Sequence, residues 1–159
     1  MEEIQKMQDN LLLIRRTVGW TAKEFGDRIG VTRQTINNIE SGRNKLTKTQ
    51  YIAMRAVLDA EIAENPEETE MLKILLDMLV DHPDKYSKED QKMLLKKANI
   101  MSPSILTGSA TRKSVSKEWM IAVATTSVLG IIASTLSLTA TPNPDVNSWL
   151  IKAINSGKK

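Results

Sequence analysis

The sequence predicts an all-α protein, and three observations lead to this fold class. Signals for β-strands are nearly absent, whereas apolar residues recur at helical spacing along almost the whole chain. Glycines and helix-capping residues divide the N-terminal part into short segments. Aromatic residues make up only 4% of the chain, so aliphatic side chains and eight methionines must fill the core, which is typical of small helical units.

Charge is unevenly distributed along the chain. Residues 1–58 contain ten Lys and Arg against six Asp and Glu, residues 59–101 contain six against eleven, and residues 102–159 contain six against two. The basic first block suits a polyanion, whereas the acidic middle would be repelled by phosphate and suits solvent or a protein partner.

The residues of chemical interest do not form a pattern typical of an enzyme. Cysteine is absent, and the single histidine, His82, stands beside Pro83 without a ligand cluster. No phosphate-cradling glycine loop or paired nucleophile and base is present. We therefore expect no catalytic residue, no metal and no cofactor, and an enzyme is the least favoured class. Residues 1–10 are polar and acidic, so they do not predict a signal peptide.

Two short capped helices that meet at a glycine turn are predicted over residues 21–40. Thr21 and Glu24 form a capping box for the first helix, Gly30 permits the left-handed conformation that ends it, and Thr32 caps the second. Apolar residues at helical spacing let the two helices pack across one another; they are Phe25, Ile29, Val31, Ile36 and Ile39.

This packing leaves Arg33, Gln34, Asn37 and Asn38 on the outer face of the second helix. Arg reaches guanine O6 and N7, and Gln or Asn reaches adenine N6 and N7, in the bidentate geometry that reads the major groove. The pattern predicts double-stranded DNA as the partner and these four residues as base contacts.

The flanking residues extend the similarity beyond the two helices. Leu11, Ile14 and Arg15 precede Gly19-Trp20-Thr21, while Ile39-Glu40-Ser41-Gly42-Arg43 follows, and Tyr51-Ile52-Ala53 begins a later core helix ending near Leu58. Over residues 8–58 the chain resembles the Cro/phage-repressor-like helix-turn-helix family, often called the XRE family. The resemblance implies a lambda-repressor-like helical DNA-binding domain and a structural pair between Arg15 and Glu40.

The chain departs from this family at two positions of the first helix. Family members often carry Gln directly after the helix cap as a phosphate clamp, but Ala22 stands here, and Lys23 is the nearest substitute. Gly26 replaces a more usual Ala, which indicates a close approach of the two helices. The predicted phosphate contacts are Thr21, Lys23, Thr32, Thr35, Arg43, Lys45 and Lys48.

The rest of the chain predicts further helical regions behind a DNA-binding domain at 1–60. In the acidic region 61–101, a helix starting at Asn65-Pro66 and ending near Asp81 carries a broad apolar stripe from Met71 to Val80. We interpret this stripe as a dimer or effector surface; the alternative is packing, inside a monomer, on a second helix with Met93, Leu94, Ala98 and Met101 as its inner face. Residues 102–118 are rich in Ser and Thr and are predicted to be a linker.

An uncharged run from Trp119 to Pro144 follows, and its part 119–140 matches the length of a single transmembrane helix. The tail, 141–159, is expected to form at most a short amphipathic helix with Trp149, Leu150 and Ile154.

Together these features predict a transcriptional regulator, interpreted as a dimeric repressor. It would be tethered to the cytoplasmic face of the cell membrane with its N-terminus inside, with an integral-membrane protein as a partner. The alternative is a cytoplasmic phage-type repressor or antitoxin-like regulator that uses 119–140 as an oligomerisation helix.

Overall fold

The structure is a computed structural model that describes residues 1–124 and 148–157. These residues form ten α-helices, three short turns of 3-10 or π-helix and no strand. The helices are α1 (Glu2–Asp9), α2 (Leu11–Val18), α3 (Ala22–Ile29), α4 (Arg33–Glu40), α5 (Lys48–Glu64), α6 (Glu70–Leu76), α7 (Lys88–Met101), α8 (Pro103–Thr107), α9 (Arg112–Ala124) and α10 (Ser148–Asn155). The prediction of an all-α fold is confirmed for this part of the chain.

Helices α3 and α4 begin at the predicted caps, and α2 and α3 end at the predicted glycines, whereas the break at Asn10 between α1 and α2 was not predicted. Thr21 and Glu24 form a capping box for α3, and the Thr32 hydroxyl accepts a hydrogen bond from the Thr35 amide at the start of α4. Gly19 and Gly30 end α2 and α3 in the left-handed conformation, with φ of 81° and 78°.

One hydrophobic core joins the N-terminal helices to later parts of the chain. Phe25, Ile36 and Ile39 from α3 and α4 share this core with Leu72 of α6 and Trp149 of α10. The boundary predicted at residue 60 is therefore not a boundary between separate cores.

The helix predicted from Asn65 to Asp81 is interrupted. Pro66–Glu68 form a 3-10 turn, α6 starts only at Glu70, and Asp77–Asp81 form a π-turn. The Asn65 side chain makes no capping bond, and its Nδ2 donates to Glu61 Oε1 at 3.1 Å.

The apolar stripe of this region lies inside the chain. Met71, Ile74, Leu75 and Met78 are at most 1% exposed. They pack in a second core with residues of α7 and α9, namely Leu94, Ala98, Val115, Trp119 and Val123. The interpretation of the stripe as a dimer or effector surface is thereby corrected in favour of internal packing. Met93, which the alternative placed on the inner face of α7, is exposed because α7 turns its Leu94 side inward.

The predicted linker, 102–118, contains α8 and the first half of α9. Ser102, Val115 and Ser116 are buried, and Arg112 donates to Glu61 (2.7 Å) and to Glu68 (2.6 Å). Tertiary contacts of this kind stabilise short helices that sequence composition alone does not predict.

Only the first six residues of the predicted transmembrane helix are described. They form the end of α9, where Trp119 and Val123 are fully buried in the second core. Residues 125–140 lie outside the described residues. Among the helices of residues 1–124 and 148–157, none has the length and apolar character needed to cross a membrane.

Helix α10 packs against α5. Trp149 is 7% exposed, and its Nε1 donates to Asp59 Oδ2 at 2.5 Å. Beyond the other end of α10, a Cβ placed on Gly157 would lie 3.5 Å from Lys48 Nζ. The short amphipathic helix predicted for the tail is present, but Ile154 lies on its exposed side.

Candidate DNA-binding interface

The turn that leads into α4 lies directly on α3 because Gly26 has no side chain. A Cβ at this position would lie 2.6 Å from the Val31 carbonyl oxygen. Phe25, Ile36 and Ile39 are fully or almost fully buried between the helices. Their burial fixes the orientation of α4 and leaves its polar face outward.

The four predicted base contacts lie on one face of α4. Arg33, Gln34 and Asn37 are exposed, whereas Asn38 is half-buried. Gln34 Nε2 donates to Asn38 Oδ1 at 3.1 Å, so these two side chains support each other. Residues separated by three or four positions on a helix are neighbours, and the group forms a continuous polar surface.

The predicted phosphate contacts on α3 and α4 are partly engaged within the protein. The Thr21 hydroxyl accepts from the Glu24 amide, and the Thr32 and Thr35 hydroxyls lie 2.9 Å apart. Lys23 Nζ lies 2.7 Å from Asp27 Oδ2, and the hydrogen bond and charge of Asp27 raise the pKa of this exposed lysine. Binding a phosphate through Lys23 would therefore require competition with Asp27.

A second group of predicted phosphate contacts follows α4. Arg43 and Lys45 are exposed on the loop between α4 and α5, and Lys48 is half-buried in the first turn of α5. The helix start is completed by a capping box between Thr47 and Gln50. Two exposed basic side chains and the positive end of a helix dipole thus lie just after the polar helix.

The Arg15 and Glu40 side chains form a nearly buried bidentate ion pair. Arg15 Nε and a terminal nitrogen lie 2.5 and 3.0 Å from the two Glu40 oxygens, and another terminal nitrogen donates to the Trp20 carbonyl. The side chains are 10% and 9% exposed. This pair ties α2 to the end of α4, as the resemblance implies.

Two other side chains near α4 were not predicted from the sequence. Gln8 of α1 contacts the end of α4 and the loop after it. The Arg28 guanidinium lies 4.0 Å from the centre of the Trp20 ring, beside the turn between α2 and α3. No sequence pattern identifies Gln8 or the contact between Arg28 and Trp20, because Trp20 lies before α3 and eight positions from Arg28.

Comparison with known families gives an independent result. A helix-turn-helix family model matches residues 11–65. This part of the chain is a helix-turn-helix module. The match supports a DNA-binding transcriptional regulator of XRE type and is consistent with a protein that is not an enzyme. Comparisons with curated proteins and with solved structures found no significant match.

Proposed function

We propose that the protein is a sequence-specific transcriptional repressor that binds double-stranded DNA through the exposed face of α4. The observation that carries this proposal is the solvent-exposed group Arg33, Gln34 and Asn37 on a helix whose apolar side is fixed in a core. These side chains have the donors and acceptors that discriminate bases in the major groove. Arg43 and Lys45, next to this helix, would bind the flanking phosphates.

We further propose that the protein binds as a homodimer on a two-fold-related site. One module of this kind covers only about 600–1,000 Å² of its own surface on DNA, so a second copy adds both affinity and sequence information. The Met71–Val80 stripe is internal, and the contact between copies would therefore involve another surface.

Selection of bound DNA from a random pool, with the full chain, tests both statements. We expect an enriched motif with two related half-sites about one helical turn, or roughly 10 base pairs, apart. An enriched single half-site would contradict the dimer, and a pool without enrichment would contradict sequence-specific binding. The full chain is needed because truncation after the matched region would remove Leu72 and Trp149 from the core.

Residues 119–140 decide whether the protein is attached to a membrane, and we consider two proposals for their role. The absence of charge over 26 residues supports a membrane tether with the DNA-binding module on the cytoplasmic side. The alternative is a cytoplasmic regulator that uses 119–140 as an oligomerisation helix, and it is supported by the burial of Trp119 and Val123 on protein at the start of this run.

Membrane fractionation of the full chain distinguishes the two proposals. A tethered protein stays in the membrane pellet after an alkaline wash, and Leu129→Lys with Ile132→Lys releases it. Release of the unsubstituted protein by the same wash would contradict the tether. This double substitution leaves the buried residues of α9 unchanged, which a truncation at Ser116 would not.

A further inference from the structure

The Gln8 side chain makes three hydrogen bonds to backbone groups that are far away in the sequence. Its Nε2 donates to the carbonyl of Ile39 at 2.9 Å and to that of Asn44 at 2.7 Å. Its Oε1 accepts from the Leu46 amide at 3.0 Å. One amide group thus uses both donors and its acceptor on a single segment of the chain.

The three backbone groups belong to the end of α4 and to the loop after it. The carbonyl of Ile39 is in the last turn of α4 and also accepts a hydrogen bond from the Gly42 amide at 3.1 Å, so Gln8 adds a second donor to it. Asn44 and Leu46 are the two neighbours of Lys45, and the loop between them and α4 carries Arg43. Gln8 therefore holds the basic loop and the polar helix in one fixed arrangement.

The other hydrogen bonds of the loop join it to the last turn of α4. The Ser41 and Gly42 amides donate to the carbonyls of Asn37 and Ile39, and the Ser41 hydroxyl donates to the Asn38 carbonyl. The Asn44 amide donates to the Asn38 carbonyl at 3.1 Å, and the Leu46 side chain is buried. Residues 41–45 are all exposed. A short exposed loop with a glycine in the left-handed conformation at Gly42, where φ is 77°, has many accessible conformations once its anchors are removed.

We propose that Gln8 is a positioning residue for DNA binding. It acts through the loop, by holding Arg43 and Lys45 where they meet the phosphates that flank the bases under α4. This inference rests on the proposed function. It adds a residue of α1, which lies before the matched region 11–65, to those that take part in DNA binding.

The test compares Gln8→Met with Gln5→Met in the full chain. Met has nearly the shape of Gln but makes none of the three hydrogen bonds. Gln5 is the matched control because it lies on the same helix, is exposed and bonds through its side chain to Asp9 at 2.7 Å, away from the loop. Affinity for the selected DNA duplex is measured by fluorescence anisotropy over a range of salt concentrations, together with the melting temperature of each variant.

We expect Gln8→Met to weaken DNA binding about tenfold and to reduce the slope of log affinity against log salt by about 0.9 for each phosphate that the displaced loop no longer neutralises. A purely structural role would lower the melting temperature and leave this slope unchanged. Equal affinities and slopes for Gln8→Met and Gln5→Met would overturn the inference. Failure of the unsubstituted chain to bind any selected duplex would instead overturn the proposed function on which the inference rests.

Two further variants strengthen the test. Gln8→Glu keeps the acceptor for the Leu46 amide and loses both donors. We expect its slope of log affinity against log salt to be smaller than that of the unsubstituted chain, and this measurement remains informative if Gln8→Met folds poorly. Arg43→Ala with Lys45→Ala should cost less affinity in the Gln8→Met background than in the unsubstituted chain, because the loop is already displaced. Additive losses in this cycle would contradict a role through the loop.

Discussion

At the scale of single residues, the ion pair between Arg15 and Glu40 joins α2 to α4, the helix whose exposed face we propose to bind DNA. Both side chains are about nine-tenths buried, so either charge is poorly solvated when its partner is removed. We expect Glu40→Gln to lower the free energy of unfolding by about 3–5 kcal/mol, measured by urea denaturation. Asp27→Asn, which breaks the exposed pair with Lys23, should have almost no effect. Similar losses for the two variants would show that burial is not the cause.

Gly26 is the residue that lets the turn before α4 approach α3. A Cβ at this position would meet the Val31 carbonyl at 2.6 Å, and backbone cannot move as readily as the end of a side chain. We expect Gly26→Ala to lower the free energy of unfolding by about 1–3 kcal/mol, measured in the same way. Gly157→Ala is the control, because its Cβ would make only an ordinary contact of 3.5 Å. A Gly26→Ala variant of unchanged stability would mean that this turn moves away from α3 at little cost.

Residues with local partners could be predicted from the sequence, and residues with distant partners could not. Thr21, Gly30 and Thr32 act on their own helix ends, so their types and spacing suffice. Gln8 bonds to backbone groups 31, 36 and 38 positions away, and backbone groups carry no residue-type signal. Pairing of Arg15 with Glu40 was predicted only through the family resemblance.

At the scale of elements, α10 is attached to α5 mainly by one side chain. Trp149 packs edge-on against Tyr51 at 6.0 Å between ring centres, and its Nε1 donates to Asp59. We expect Trp149→Ala to lower the free energy of unfolding by about 3–5 kcal/mol in chemical denaturation. Ile151→Ala, on the exposed side of the same helix, should leave it nearly unchanged, since Ile151 is 61% exposed. An equal effect of both substitutions would contradict the described docking of α10.

The burial of Asp59 beside Trp149 predicts that the free energy of unfolding depends on pH. Burial raises the pKa of Asp59, and the charge of Arg55 and the Trp149 hydrogen bond only partly oppose this. Because the pKa is higher in the folded state than in the unfolded state, ionised Asp59 costs stability at neutral pH, and this cost disappears as the pH falls through the folded pKa. Asp59→Asn carries no charge and keeps an acceptor for Trp149.

We therefore expect Asp59→Asn to raise the free energy of unfolding at pH 7, with a gain that shrinks as the pH is lowered. Urea denaturation at several pH values measures this difference, and the exposed Asp84→Asn variant is the control. A gain that grows toward acidic pH would show that the pKa shift has the opposite sign.

The elements that sequence analysis missed are those that depend on tertiary contacts. Helix α8 has only five residues, and α9 starts in a stretch whose composition suits a linker. Arg112 holds this stretch through carboxylates on α5 and on the turn after it, which are distant in sequence. The apolar stripe from Met71 to Val80 was recognised, but periodicity does not reveal whether its partner is the same chain or another.

At the scale of the whole molecule, the helix-turn-helix module shares its core with the rest of the chain. Leu72, Leu76, Val80, Trp149 and Ala153 pack into the same cluster as the residues behind α4. The orientation of α4 thus depends on contacts with α6 and α10 as well as on contacts with the other N-terminal helices. This dependence could not be predicted from the sequence, because the match to the helix-turn-helix family ends at residue 65, before α6 and α10.

The most direct test of sequence-specific reading by α4 is the affinity of Arg33→Ala and Gln34→Ala for the selected duplex and for duplexes with single base-pair changes. We expect each variant to lose base discrimination at particular positions, by about 1–3 kcal/mol per bidentate contact, and to keep it elsewhere. Lys96→Ala, on the exposed side of α7, should bind every duplex as the unsubstituted chain does. Uniform weakening of Arg33→Ala and Gln34→Ala on all duplexes, with base preference intact, would contradict base reading by this helix.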